Sequence, residues 1–185
     1  MKKPVLAAGA VTAIAAPLAY LAWKYYPRPG PVGNDAVPEP AKAVDLQRYM
    51  GRWYEQFRYD ASFEEGLEAV SADYSLNRDG SVRVVNQGRT GGPGGKLRKS
   101  TGKAKLVDPA TNAKLKVSFF GPFYGDYWVL DHGEDYDWSI VGEPSGRYLW
   151  VLTREARPGV WVLDELEARV RALGYDWSLI HFTQQ

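Results

Sequence analysis

Few side chains in this 185-residue chain could do covalent or metal chemistry, and their spacing does not suit it. With no cysteine there is no thiolate nucleophile, no disulfide and no Cys-ligated zinc or iron–sulfur site. The only two histidines, His132 and His181, lie on separate segments without H-E-x-x-H spacing, so no metal pair is expected. No G-x-S-x-G elbow accompanies them, and neither has an evident carboxylate to orient it for a serine nucleophile. Gly91-Gly92-Pro93-Gly94-Gly95-Lys96 resembles a phosphate loop, but Thr90 stands at the first glycine of G-x-x-x-x-G-K-[ST] and Leu97 at the hydroxyl position. It reads as a flexible turn between strands. Non-covalent chemistry remains, carried by aromatic and aliphatic side chains at alternate positions with a few polar ones among them.

Those residues need strands to hold them. Val70, Ala72, Tyr74 and Leu76 alternate with polar residues, Asn77-Arg78-Asp79-Gly80 turns the chain, and Val82, Val84 and Asn86 return, which reads as a β-hairpin. Leu115, Val117 and Phe119 alternate with Lys114, Lys116 and Ser118, and strands follow at residues 127–130, 138–141 and 148–153. Between 158 and 173, Val160, Leu163, Leu166, Val170 and Leu173 recur at three and four, predicting one helix begun by Pro158 and ended by Gly174. A last strand is expected over 177–182. About eight antiparallel strands in sequence order suggest a meander, and closing it into a barrel removes its edges. A barrel of that size has room for side chains or one small ligand. A β-sandwich is the structural rival, but no long connection is present to carry its crossovers.

The composition fits a single globular domain: 45% hydrophobic, 24% charged, and a net charge of +1 that argues against nucleic-acid binding. That charge is an average. Residues 5–23 carry none, follow Lys2 and Lys3, and precede Lys24, Tyr25 and Tyr26. Such a run is long enough to cross the ~30 Å hydrocarbon layer as a helix. Residues 1–26 are therefore expected to be a transmembrane anchor, or a signal peptide cleaved after Ala13-Ile14-Ala15, with the rest of the chain outside the cytoplasm. Residues 27–44 form a proline-rich linker, and 45–185 the folded domain. Without residues 1–24 the chain has 23 − 3 = 20 basic against 22 acidic residues. Between Lys96 and Lys116 seven basic residues stand against one acid, Asp108, a stretch that could meet anionic head groups or simply be a solvated face.

Three motifs in order resemble those of the lipocalin family. Gly51-Arg52-Trp53-Tyr54-Glu55 resembles the signature of the first strand, Gly125-Asp126-Tyr127 the second motif, and Arg154 the arginine of the third. The stretches at 63–68, 115–125 and 148–152 are more specifically similar to bacterial outer-membrane lipocalins of the Blc type. The resemblance covers about residues 45–185. It implies an all-β fold, an eight-stranded antiparallel up-and-down barrel with one C-terminal helix packed outside, here preceded by the N-terminal hydrophobic helix. It also implies a fatty acid or lysophospholipid ligand, no cofactor, a membrane setting in the cell envelope facing the periplasm, and an ability to form homodimers. The bacterial relatives are typically acylated on a cysteine, which this chain lacks. Acylation is therefore excluded.

Within that frame Gly51, Trp53, Glu55 and Arg154 are structural, with the Arg154 guanidinium stacked on Trp53 at the closed end. If Trp53 faces inward, period two places Glu55 and Phe57 inward as well; likewise Arg154 predicts Trp150 and Tyr148. Val117, Phe119, Tyr127 and Val129 join them, and Asn86 is a polar residue that could meet a head group. Glu55 needs a partner, expected to be Arg154 or a tyrosine. The expected function is lipid binding or transport in the barrel lumen without conversion. The alternatives are a lipid-modifying enzyme on the same barrel and an envelope protein-interaction module whose lumen is plugged.

Overall fold

The computed structural model describes residues 30–120 and 122–185, with the side chain of Phe120 left aside. Eight strands run in order as β1 (Gly51–Tyr59), β2 (Leu67–Leu76), β3 (Val82–Thr90), β4 (Lys96–Leu106), β5 (Lys114–Phe120), β6 (Phe123–His132), β7 (Trp138–Gly142) and β8 (Leu149–Thr153). Each pairs antiparallel with the next, and β8 pairs back onto β1, so the sheet closes into the expected barrel. A short ninth strand, β9 (Ile180–Phe182), is added outside that count. On one edge of β1, Gly51 to Tyr54 pair with β2, while Phe57 to Tyr59 pair with β9. β9 thus covers the edge that β2 leaves.

One end is closed by α1 (Leu46–Tyr49), whose first turn is capped by the Asp45 side chain. It lays Tyr49 against Trp53, and the Trp53 indole donates to the Tyr49 carbonyl at 2.9 Å. Arg154 lies over the Trp53 ring, 3.8 Å from its centroid, and donates to the carbonyls of Arg48, Arg52 and Tyr136. Gly51 has φ +98°, and a Cβ there would stand 3.3 Å from the Arg154 guanidinium. Glycine at the head of β1 is what allows that approach.

The helix α2 (Val160–Ala172) starts two residues after Pro158, with Gly159 as its N-cap, and Gly174 at φ +89° turns the chain after it. It buries Leu166 and Val170 against the outer face of the barrel, where Tyr59, Leu130, Ile140, Leu149 and Val151 meet it. A 3-10 turn (Trp177–Leu179) then leads into β9. Residues 30–45 contain no helix or strand, yet they are fastened to the barrel: the amides of Gly33 and Asn34 donate to the Gly146 carbonyl, and the Val44 amide to Thr111. Among the described residues no helix is long and apolar enough to cross a membrane; the hydrophobic run at 5–23 lies outside them.

Candidate ligand-binding site

The barrel has two apolar regions on opposite sides of its wall. Outside, a core lies beneath α2; inside, Val82, Val84, Ala104, Leu115 and Val129 face the lumen with Trp53 and Leu152. Just above the closed end the lumen is nearly filled: the cavity between β3 to β6, Tyr49, Met50 and Tyr74 has a free volume of about 20 Å³. That is space for about one water molecule. Its walls are aliphatic and aromatic. The hydroxyls that reach it are spent on one another: Tyr49 bonds Tyr127 and Ser139 at 3.0 Å each, and Tyr74 bonds Tyr127 at 3.1 Å. Burial pushes all three phenols above their ordinary range, so none is an ionised nucleophile near neutral pH.

Val117, Tyr127 and Val129 line this cavity. Phe119 lies higher, its ring against Gly102, where a Cβ would stand 2.8 Å from the ring edge. Tyr148 and Trp150 stack at 5.8 Å and 6° between planes, and Phe63 stacks on Tyr148, so an aromatic column climbs toward the open end. Phe119, Tyr148 and Trp150 are only half-buried, in contrast to Val129 and Leu152 below them, so solvent reaches part of these rings. Asn86 pairs with Ala72 on β2 and shares the inward parity of Val82 and Val84. Its side-chain oxygen is buried and has no hydrogen-bond partner among the described residues.

Phe57 departs from the expectation. The β1–β8 register runs from Glu55 opposite Leu152 to Phe57 opposite Val151, a bulge that reverses the alternation. Phe57 consequently faces outward, edge-on to Trp177 and Phe182 at 5.2 Å each. Arg58 takes the inward position, fully buried, opposite Trp150. It also corrects the expected partner of Glu55: the Arg58 guanidinium donates to Glu55 Oε1 at 2.8 Å and Thr183 donates to the same oxygen at 2.6 Å. Arg154 serves only the closed end.

Sequence reasoning missed Arg58, Glu64 and Thr183. Glu64, on the β1–β2 connection, is buried and accepts from the Trp150 indole at 2.8 Å, and Arg58 donates to its backbone carbonyl. Desolvation first, then the charge of Glu55, pushes its carboxyl up to about 8. Burial also raises Glu55, against the opposing pull of Arg58 and Thr183. The arrangement is a buried Arg58–Glu55 pair beside a second buried carboxyl, Glu64, whose surroundings favour its protonated form, with apolar walls below it and aromatic rings above. It has no metal-binding cluster among the described residues. His132 is spent on the Gly133 and Ala43 carbonyls, and His181, opposite Arg58 on β9, meets Glu68 at 3.2 Å.

A closed eight-stranded barrel with an arginine on the first-strand tryptophan can be compared with known proteins. Residues 44–185 match the family model described as a lipocalin-like domain. The chain belongs to the lipocalin family. This lipocalin is 37% identical over 157 residues to a Vibrio cholerae protein named outer membrane lipoprotein Blc, covering 84% of this chain and 91% of the relative. The Escherichia coli K12 protein of that name is 41% identical over 154 residues, with coverages of 80% and 86%. A plant relative, temperature-induced lipocalin-1 of Arabidopsis thaliana, is 38% identical over 157 residues and covers 80% and 82%. Among solved structures, insecticyanin from Manduca sexta superposes with a TM-score of 0.64 at 20% identity, covering 86% and 88%, a likeness of fold.

Proposed function

We propose that this lipocalin binds a single-chain lipid, a fatty acid or lysophospholipid, in its lumen and carries it within the cell envelope without converting it. The observation that carries this reading is the aromatic wall of the upper barrel, the stacked and half-buried rings of Tyr148 and Trp150. Apolar surface that water reaches inside a barrel is surface a ligand can cover. The small free volume at the bottom, about 20 Å³, limits the depth an acyl chain reaches before side chains must move, and favours one chain over two. Burying a methylene yields ~0.8 kcal/mol, so part of an acyl chain outweighs modest side-chain rearrangement. The unpartnered oxygen of Asn86 would accept from a ligand hydroxyl. The envelope setting draws on the relatives named outer membrane lipoprotein and on residues 5–23 as a tether or export signal. With no cysteine in the chain, attachment would be by that segment and not by acylation.

Displacement of a fluorescent fatty acid tests the site. Trp150→Ala, Tyr127→Ala and Asn86→Ala should each weaken binding several-fold, and wild-type affinity in all three would sink the assignment. The filled lower lumen is also what an interaction module with a plugged barrel would show. Native mass spectrometry of protein purified from membranes separates the two: co-purified single-chain lipid is expected here, and an empty barrel that takes up no added lipid would favour the module. Turnover of added lysophospholipid would instead make the protein an enzyme.

A further inference from the structure

We propose that the open end of the barrel docks directly on an anionic lipid bilayer, with the β3–β4 hairpin lying against the head groups and the lumen opening onto the membrane. This concerns the outside of the barrel and holds whatever the lumen carries. From Gly80 to Val107 the hairpin has seven cations and no acid: Arg89, Lys96, Arg98 and Lys99 lie toward its tip at the open end, while Arg83, Lys103 and Lys105 lie at its root toward the closed end. The upper part of β4 has a free edge, because β4 pairs with β5 only from Lys103 to Leu106, while β3 stays joined to β2 up to Thr90. Among the described residues no ion pair involves Lys96, Arg98 or Lys99, whereas Lys103 is paired with Asp79.

Apolar surface lies at the same end. Phe63 is 54% exposed, Leu97 51% and Phe123 75%, on three different hairpins around the rim, and Tyr124 beside Phe123 is exposed too. Aromatic and aliphatic side chains interleaved with lysine and arginine are the pattern of a surface that enters the head-group region. Of the acids at this end Asp60 pairs with Arg58, Glu64 is buried, Glu68 meets His181, and Glu143 accepts from the hydroxyl and amide of Ser145 and the amide of Arg147; Glu65 and, beside the N-terminal segment, Asp35 and Asp176 are exposed, away from the β3–β4 hairpin. The opposite end offers such a membrane no comparable attraction. Its turns carry Asp79, Asp108, Glu134, Asp135 and Asp137 against one cation of their own, Arg78, while Lys42, Arg48 and Lys103 reach in to pair with Glu134, Asp135 and Asp79.

The attachment point of the N-terminal chain agrees. Gly30 accepts from Arg147, and Gly33 and Asn34 donate to Gly146, all on the β7–β8 turn at the open end. Residues 24–29 separate that point from the uncharged run at 5–23. Six residues reach at most about 20 Å, so a bilayer holding that run lies close to the open rim.

The absence of native cysteine makes a clean test. Single variants Gly94→Cys at the hairpin tip, Phe123→Cys at the rim and Ala110→Cys on the exposed β4–β5 turn at the closed end are made in the full chain. Each is labelled with an environment-sensitive fluorophore and reconstituted in vesicles with and without phosphatidylglycerol. The expected result is a blue shift and quenching by membrane-embedded spin label at 94 and 123, dependent on phosphatidylglycerol and reduced by salt, with 110 remaining aqueous. The combined variant Lys96→Glu, Arg98→Glu, Lys99→Glu should lose the shift while keeping wild-type binding of a fluorescent fatty acid in detergent. The proposal is overturned if 94 and 123 stay aqueous, if 110 is quenched as strongly, or if phosphatidylglycerol makes no difference. A shift in detergent alone that grows with protein concentration would assign the surface to a second copy, and would equally overturn it. Loss of fatty-acid binding in wild type with the fluorophore pattern intact would refute the lumen reading and leave the docking in place.

Discussion

Arg58 is wholly buried and is approached by Glu55, Asp60 and the backbone of Glu64 within a few residues of one strand. Removing one member of a buried ion pair costs about 3–5 kcal/mol, because the other charge stays without its partner. Arg58→Met should therefore lower the midpoint of urea unfolding sharply, and Glu55→Gln added to it should restore part of the loss. Glu64 acts in the opposite sense. Its carboxyl is raised to about 8, so the folded state binds a proton that the unfolded state has released, and stability declines as pH rises from the ordinary glutamate range to about 8. Glu64→Gln should flatten that decline in thermal melts taken across the interval; a slope unchanged by the substitution would mean that Glu64 is ionised in the fold. Neither residue was legible from alternation. The β-bulge at Gln56 has no glycine or proline to mark it, and counting in twos past it exchanges Phe57 with Arg58.

The closed end was legible through the resemblance to lipocalins. Their motifs set Arg154 on Trp53, and an indole face with a planar cation of five donors is what such a stack needs. Arg154→Ala removes the stack and its bonds to three segments, and should cost about 2–3 kcal/mol while leaving fatty-acid affinity unchanged. A measured loss of binding greater than the loss of stability would instead give this end a part in the site. The helix was equally legible from its spacing of three and four, and it fell within two residues of its expected bounds. β4 was not. Only Ala104 of its eleven residues is buried, so there was little apolar alternation to read, and its basic stretch fitted a solvated face as well as a strand.

At the scale of the molecule, the barrel is polarised along its axis, with aliphatic packing low in the lumen, a charged and aromatic zone above it, and basic, apolar surface at the rim. The meander order gave closure, since β1 to β8 pair in sequence and only β8 and β9 must meet β1 from afar. The C-terminal residues were less transparent, because the use of Thr183 and Gln185 depends on where β2 parts from β1. Gln185 donates to the carbonyls of Glu55 and Val70, spanning that gap. Deleting residues 180–185 should expose the upper edge of β1 and speed protease cleavage near Tyr59, while the closed end stays protected.

That divided edge of β1 also bears on how the protein is made. The strand is synthesised first, yet its upper half has its partners at residues 150–153 and 180–182, about a hundred positions later. Until residues 180–183 are made it is an open template, and the ion pair behind it lacks the Thr183 hydroxyl. A ribosome that stalls early would therefore release a chain whose first strand advertises the fault to chaperones and proteases, so the fold carries its own check that the message was read through.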